Sequence, residues 1–243
     1  MIGQSIVITD LFCDFSNIAN MGIFMLTIYG VYRSRATRTL WLAGELGIAY
    51  KHIPVIQARR LDNPLADDAP INTLTPSFLS INPMGTIPCI EDDGMVLYES
   101  MAINLYLARK YGGPLAPKDL SEDAAMMQWS FFAATEIEMQ SLKISTTFAE
   151  DLAETAAGKA VIDVAARLLQ RPLRVLEQYL SSHDYLIGDR FTVADINVAE
   201  VVRYAQAHTT LIDTYPALKT WLERCQSRPT FKAMWDARSS ETA

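Results

Sequence analysis

The sequence predicts two halves of different class: an α/β half over about residues 25–112, then an all-α half over about 119–238. Three observations carry this. Strand-like and helix-like patterns alternate as far as Tyr111. Gly112-Gly113-Pro114 then ends the last of these elements. Beyond Pro117 only helical periodicity remains.

In chain order, "LTIYG" from Leu26 reads as a first strand. The run "TLWLAGELG" follows, with Leu40, Ala43 and Leu46 on one helical face and Gly47 as the stop. "AYKHIPV" is the second strand, expected parallel to the first because a helix separates them. A polar stretch, Gln57 to Thr75, is read as a long loop. Two short strands about Asp92-Asp93-Gly94 form a hairpin, the first of them spanning Ile87 to Glu91. A helix from Ser100 to Lys110 closes this half, and residues 113–118 are the linker. In the second half, Met126, Trp129, Phe132 and Ala133 form one apolar stripe. Val164, Leu168, Leu169, Leu173, Leu176 and Leu180 form another, with Pro172 requiring a helix start or a kink. Val193–Tyr204 and Leu218–Cys225 are two further helices, and 239–243 is a tail.

Composition narrows the function. The 243 residues carry a formal charge of −7, which disfavours nucleic acid as a partner. No apolar run is long enough to span a bilayer, so no membrane role is expected. Cys13, Cys89 and Cys225 show neither metal-ligand nor disulfide spacing. A cytoplasmic, reducing setting and no metal are therefore expected. Residues 1–24 contain Asp10 and Asp14 and lack a basic start, which argues against a signal peptide. They read as an N-terminal extension, the alternative being an extra strand over Ile6–Thr9.

Four places carry candidate chemistry. Pro88 stands at the mouth of a strand, where an X–Pro bond can be cis. A cis bond would turn the Ile87 amide and carbonyl toward an extended ligand backbone; the other reading is an ordinary edge proline. Glu99 and Ser100 open a helix, a suitable end for an anion, with Glu99 placed to take an ammonium group. The plain alternative is a helix cap. Ser34 stands near another helix start, reached through Tyr29, Tyr32 and Arg33, where a hydroxyl can bond a thiolate or act only as a cap. Thr192 and Asp195 have the spacing of a capping box, with Phe191 set to staple onto Ile196; this pair is read as structural.

Taken together, "LTIYGVYRSRATRTLWLAGELGIAY", "FLSINPMGTIPCIEDDGMVLYESMAINLYLARKY" and "YLIGDRFTVADI" resemble the glutathione S-transferase superfamily over most of residues 25–238. The resemblance implies a thioredoxin-like first domain, 25–112, and an all-helical second domain, 119–238. It implies that Pro88 is cis, that Ile87 pairs its main chain with the cysteinyl part of glutathione, and that Glu99 and Ser100 hold the γ-glutamyl end. The thiol-activating residue is left between two candidates. Ser34 matches the serine of theta- and phi-like classes, and Tyr29 the tyrosine of the alpha, mu and pi classes. Cys89, next to Pro88, reads as a buried strand residue.

The expected activity is therefore conjugation of glutathione, a co-substrate, to a small hydrophobic electrophile. Trp129, Phe131 and Phe132 are candidates for the second pocket, although such a stripe also suits a core. The alternatives are a glutathione-binding or protein-interaction module, or a glutathione-dependent isomerase or peroxidase. A homodimer is expected, since the family pairs first domain to second.

Overall fold

The computed structural model describes residues 26–241. The extension 1–24, its alternative strand, Cys13 and the last two residues of the tail lie outside the described residues. The first half holds β1 (Thr27–Tyr29), α1 (Ala36–Leu46), β2 (Lys51–Ile53), α2 (Pro76–Ile81), β3 (Cys89–Asp92), β4 (Met95–Tyr98) and α3 (Ser100–Tyr111). Its four-stranded sheet runs β2-β1-β3-β4. β1 and β2 are parallel, and β3 is antiparallel to both of its neighbours.

The period of two along the strands sends side chains to opposite faces. Ile28 opposes Ile90 in register, and both join the main core beneath α1 and α3. Tyr29 opposes Cys89 on the other face, where Phe78 of α2 and Val55 cover them. The helix α2 lies just past the polar stretch and was not expected there. Its single turn and a half is too short for a periodic signal, but Pro76 occupies its first position, a placement proline favours. The stretch before it is tied down: a bridge joins Ile56 to Asn72, and Ala58–Arg60 form a 3₁₀ turn.

Gly30 joins β1 to the loop before α1. Its φ is +145°, and a Cβ there would meet the Ala36 Cβ at 2.8 Å, so only glycine lets the loop fold this tightly onto the helix. At the other end of α1, Gly47 takes the left-handed conformation and closes the helix.

The second half holds α4 (Leu120–Phe132), a π-helical segment (Ala133–Ile137), α5 (Glu138–Ala149), α6 (Ala156–Leu180), α7 (Val193–Val202), α8 (Thr209–Asp213), α9 (Pro216–Gln226) and α10 (Pro229–Ser240). α6 continues through Pro172, neither starting nor ending there. The expected apolar stripe on α6 divides: Leu169, Leu173, Leu176 and Leu180 are buried, whereas Val164 and Leu168 are 43% and 52% exposed. The helical period carries those two away from the core, beside exposed Val161 and Val175.

The halves meet through a buried hydrogen-bonded chain. Thr39 donates to Asn104 (3.0 Å), Asn104 to Asn197 (2.9 Å) and Asn197 to Ser130 (2.9 Å). Every member is satisfied, which makes the seam specific in register. Asp195 anchors α7. Its carboxylate accepts from the amides of Leu186 and Thr192, the Thr192 hydroxyl and the Trp221 indole. Burial pushes that carboxyl up to about 6, against the pull of these four donors. Phe191 packs its ring on Trp41 and Tyr185.

Candidate active site

A cavity of about 680 Å³ lies between the two halves. Thr86, Ile87 and Pro88 form one wall, and Glu99 and Ser100 at the start of α3 form another. Met127, Phe131 and Ala134 face them from the helical half, and Arg35, Arg38 and Glu138 close the base.

The Ile87–Pro88 bond is cis. β3 begins only at Cys89, and neither the amide nor the carbonyl of Ile87 has a backbone partner among the described residues. A cavity wall thus presents one unpaired donor and one unpaired acceptor, the requirement for adding an extended segment as a further strand. Glu99 has φ +74°, one of three non-glycine residues with positive φ among the described residues. Such a conformation costs about 1–3 kcal/mol and is concentrated at functional positions. It turns the chain so that Ser100 begins α3 at the cavity wall.

Ser100 is buried, and its hydroxyl oxygen accepts from Arg38 Nη1 at 3.0 Å. Its own proton has no acceptor among the described residues. The Arg38 Nη2 donates to Glu138 Oε1 at 2.8 Å, and Arg38 Nε–H is buried without a partner among the described residues. Arg35 Nε also donates to Glu138, while the rest of that side chain is 48% exposed. Burial pushes the Glu138 carboxyl up, but the two guanidinium groups outweigh it and hold the acid below its ordinary value.

The two candidates for activating a thiol are placed very differently. Ser34 is buried and does not itself line the cavity, but its neighbour in sequence, Arg35, does. Its hydroxyl donates to the Val31 carbonyl at 2.6 Å and accepts from the Ala36 amide at 3.0 Å. Tyr29 lies on the far face of the sheet and does not line the cavity. Its hydroxyl donates to Glu91. Burial, and then that carboxylate, push the phenol well above its ordinary value. Burial likewise pushes the Cys89 thiol up to about 11.

Two family models cover this architecture: the glutathione S-transferase N-terminal domain over residues 32–110 and the C-terminal domain over 123–229. Glutathione S-transferase F13 of Arabidopsis thaliana is 33% identical over 163 residues, which are 64% of this chain and 74% of that one. The chain belongs to the glutathione S-transferase family. Among solved structures, glutathione transferase F7 from Populus trichocarpa superposes with a TM-score of 0.73 at 27% identity, covering 88% of this chain and 99% of that one. Glutathione S-transferase-I, solved with lactoylglutathione bound, matches with a TM-score of 0.73 at 26% identity, over 88% of this chain and 99% of that one.

For this transferase the structure thus brings Ile87, Pro88, Glu99 and Ser100 to one cavity, places Ser34 next in sequence to the lining Arg35, and leaves Tyr29 on the far face of the sheet. Thr192 and Asp195 lie in the core of the helical half. Of the aromatic candidates, Phe131 lines the cavity and is 66% exposed. Trp129 is buried against Phe132 and Tyr179 and faces a different cleft. Arg38 and Glu138 were missed. Arg38 carried no local signal, since Thr37 and Thr39 flank it and it belongs to the polar run before Leu40. Glu138 carried none, because its position depends on the π-helical segment before it, a feature common at functional sites.

Proposed function

We propose that the cavity binds glutathione in an extended form and that Ser34 activates its thiol for attack on an apolar electrophile. The observation that carries this reading is that Ile87, whose main chain has no backbone partner among the described residues, and Ser100, buried at a helix start, line one cavity. In this reading Ile87 pairs with the cysteinyl backbone. The Ser100 hydroxyl, its oxygen engaged by Arg38, gives its proton to the γ-glutamyl carboxylate. The α3 amides and Arg38 add favourable charge there, and Glu99 takes the ammonium group. The lactoylglutathione bound by a structural relative is consistent with this placement.

A free thiol has a pKa of about 8.5 and is only slightly ionised at neutral pH. One hydrogen bond to a charged acceptor is worth about 1.5–3 kcal/mol, one to two pKa units. Ser34 supplies such a bond when its hydroxyl turns from Val31 to the sulfur. The thiol proton passes to water, the thiolate attacks carbon, a C–S bond forms, and the leaving group departs with its electron pair. Phe131, Met127, Met101 and Leu105 give the electrophile an apolar wall. Tyr29 is a poor alternative, because its proton is already committed to Glu91 on the other face.

The chain is proposed to act as a cytoplasmic homodimer in the disposal of reactive apolar compounds. The exposed Val161, Val164, Leu168 and Val175 support a covered face on α6. Retention on immobilised glutathione together with turnover of an aryl halide tests the function. Retention without turnover of several electrophile types would instead indicate a binding module.

A further inference from the structure

The loop that carries Ser34 is gripped by the far end of the chain. Glu241 Oε1 accepts from the Tyr32 amide at 2.8 Å, and Oε2 accepts from the Arg33 amide at 2.7 Å. Arg238 Nη1 donates to the Tyr32 carbonyl at 2.7 Å. Two successive peptide planes are therefore held by residues more than 200 positions away. The first of these planes matters most. The peptide between Val31 and Tyr32 gives its N–H to Glu241 and its C=O to the Ser34 hydroxyl. A carboxylate on the N–H end polarises the peptide and makes its carbonyl a stronger acceptor. It also fixes the direction in which that carbonyl points.

The geometry points to Glu241 as a residue that restrains the reaction: through the Val31–Tyr32 peptide it strengthens the Val31 carbonyl as a competitor of the glutathione sulfur for the Ser34 proton. This rests on the reading that Ser34 activates the thiol. While Glu241 is engaged, the Val31 carbonyl competes with the sulfur for the Ser34 proton and weakens, without abolishing, the bond that favours the thiolate. When Glu241 leaves, the peptide can turn, Ser34 donates to the sulfur more fully, and the thiolate is favoured further. Two further effects have the same sign. The freed Tyr32 and Arg33 amides become available to an anion, and a negative charge is removed from the neighbourhood. The charged groups around Glu241 are Arg33 and Arg60, with Arg59 close to Arg60 and Arg238 on α10. They favour the engaged carboxylate without replacing its bonds to the loop.

The test is the ultraviolet absorbance of thiolate in bound glutathione, titrated with pH in four proteins: unaltered, Glu241→Ala, Ser34→Ala and the double variant. Glu241→Ala is expected to lower the apparent pKa of the bound thiol by about half to one unit and to raise turnover near pH 6 about threefold. Loss of folded structure would lower turnover instead. Acetate, at constant ionic strength, should refill the amide pair and return the titration toward that of the unaltered protein. In the Ser34→Ala background, removing Glu241 should produce less than half of the shift. An unchanged or raised pKa in Glu241→Ala overturns the proposal, as does an equal shift with and without Ser34. If Ser34→Ala alone leaves the titration unmoved, it is the assignment of Ser34 that fails; a shift in Ser34→Ala with none in Glu241→Ala rejects the role of Glu241 only.

Discussion

Arg38 reaches from the first helix to Ser100 and donates a 3.0 Å hydrogen bond to its hydroxyl oxygen. The serine is thereby left with a proton to give. Ser100→Ala should weaken glutathione binding at least tenfold, the loss of one bond to a charged ligand group, about 1.5–3 kcal/mol. Calorimetric titration at fixed pH measures it, and an unchanged affinity in a folded variant would place the γ-glutamyl end elsewhere.

Arg38 is held in turn by Glu138 from the other half of the molecule. Arg38→Met should destabilise the protein by about 3 kcal/mol, because Glu138 is left buried with only Arg35 as partner. Denaturant unfolding gives the value. A loss below about 1 kcal/mol would mean that the pair contributes as little as a well-solvated surface bridge.

The same pair sets a pH dependence. The Glu138 carboxyl is held below its ordinary value in the folded protein. Its stabilisation is thus fully present above the unfolded pKa, about 4.3, and is lost as pH falls through the lower folded value. Glu138→Gln should flatten the stability curve below about pH 4.5 relative to the unaltered chain. Equal acid limbs in the two proteins would remove Glu138 from the account.

Much of this arrangement was legible from residues alone. Pro88 and Ser100 each stand at an element boundary, where proline and serine have local physical reasons to occur, and so they announced themselves. The Thr192–Asp195 spacing did the same for α7, whose capping box is present. What was hidden depends on partners distant in sequence. Glu138 meets Arg38 across 100 positions, and Glu241 meets the Ser34 loop across more than 200. No local pattern encodes such pairs. The α6 stripe was over-read for a related reason: a run of apolar residues does not say which of them face the core and which are left for another surface.

Asp195 is remote from the cavity but anchors four donors. Asp195→Ala should cost about 3–5 kcal/mol, since the donors are left buried and unsatisfied. At temperatures where the variant remains folded, the KM for glutathione should be unchanged. A large KM change with little loss of stability would give Asp195 a role in the site.

The exposed apolar face of α6 should be covered in solution. Equilibrium sedimentation is expected to give twice the chain mass of 27.1 kDa, and Leu168→Lys should shift the protein toward monomer. A mass of one chain at micromolar concentration would rule out the dimer.

Thiolate absorbance followed against pH in Ser34→Ala and Tyr29→Phe decides whether the hydroxyl of Ser34, and not that of Tyr29, ionises bound glutathione. The expected result is a rise of one to two pKa units in Ser34→Ala, with turnover down about 10–100-fold and glutathione affinity little changed, and no shift in Tyr29→Phe. A shift confined to Tyr29→Phe would contradict the account and leave Ser34 as a cap of the first helix.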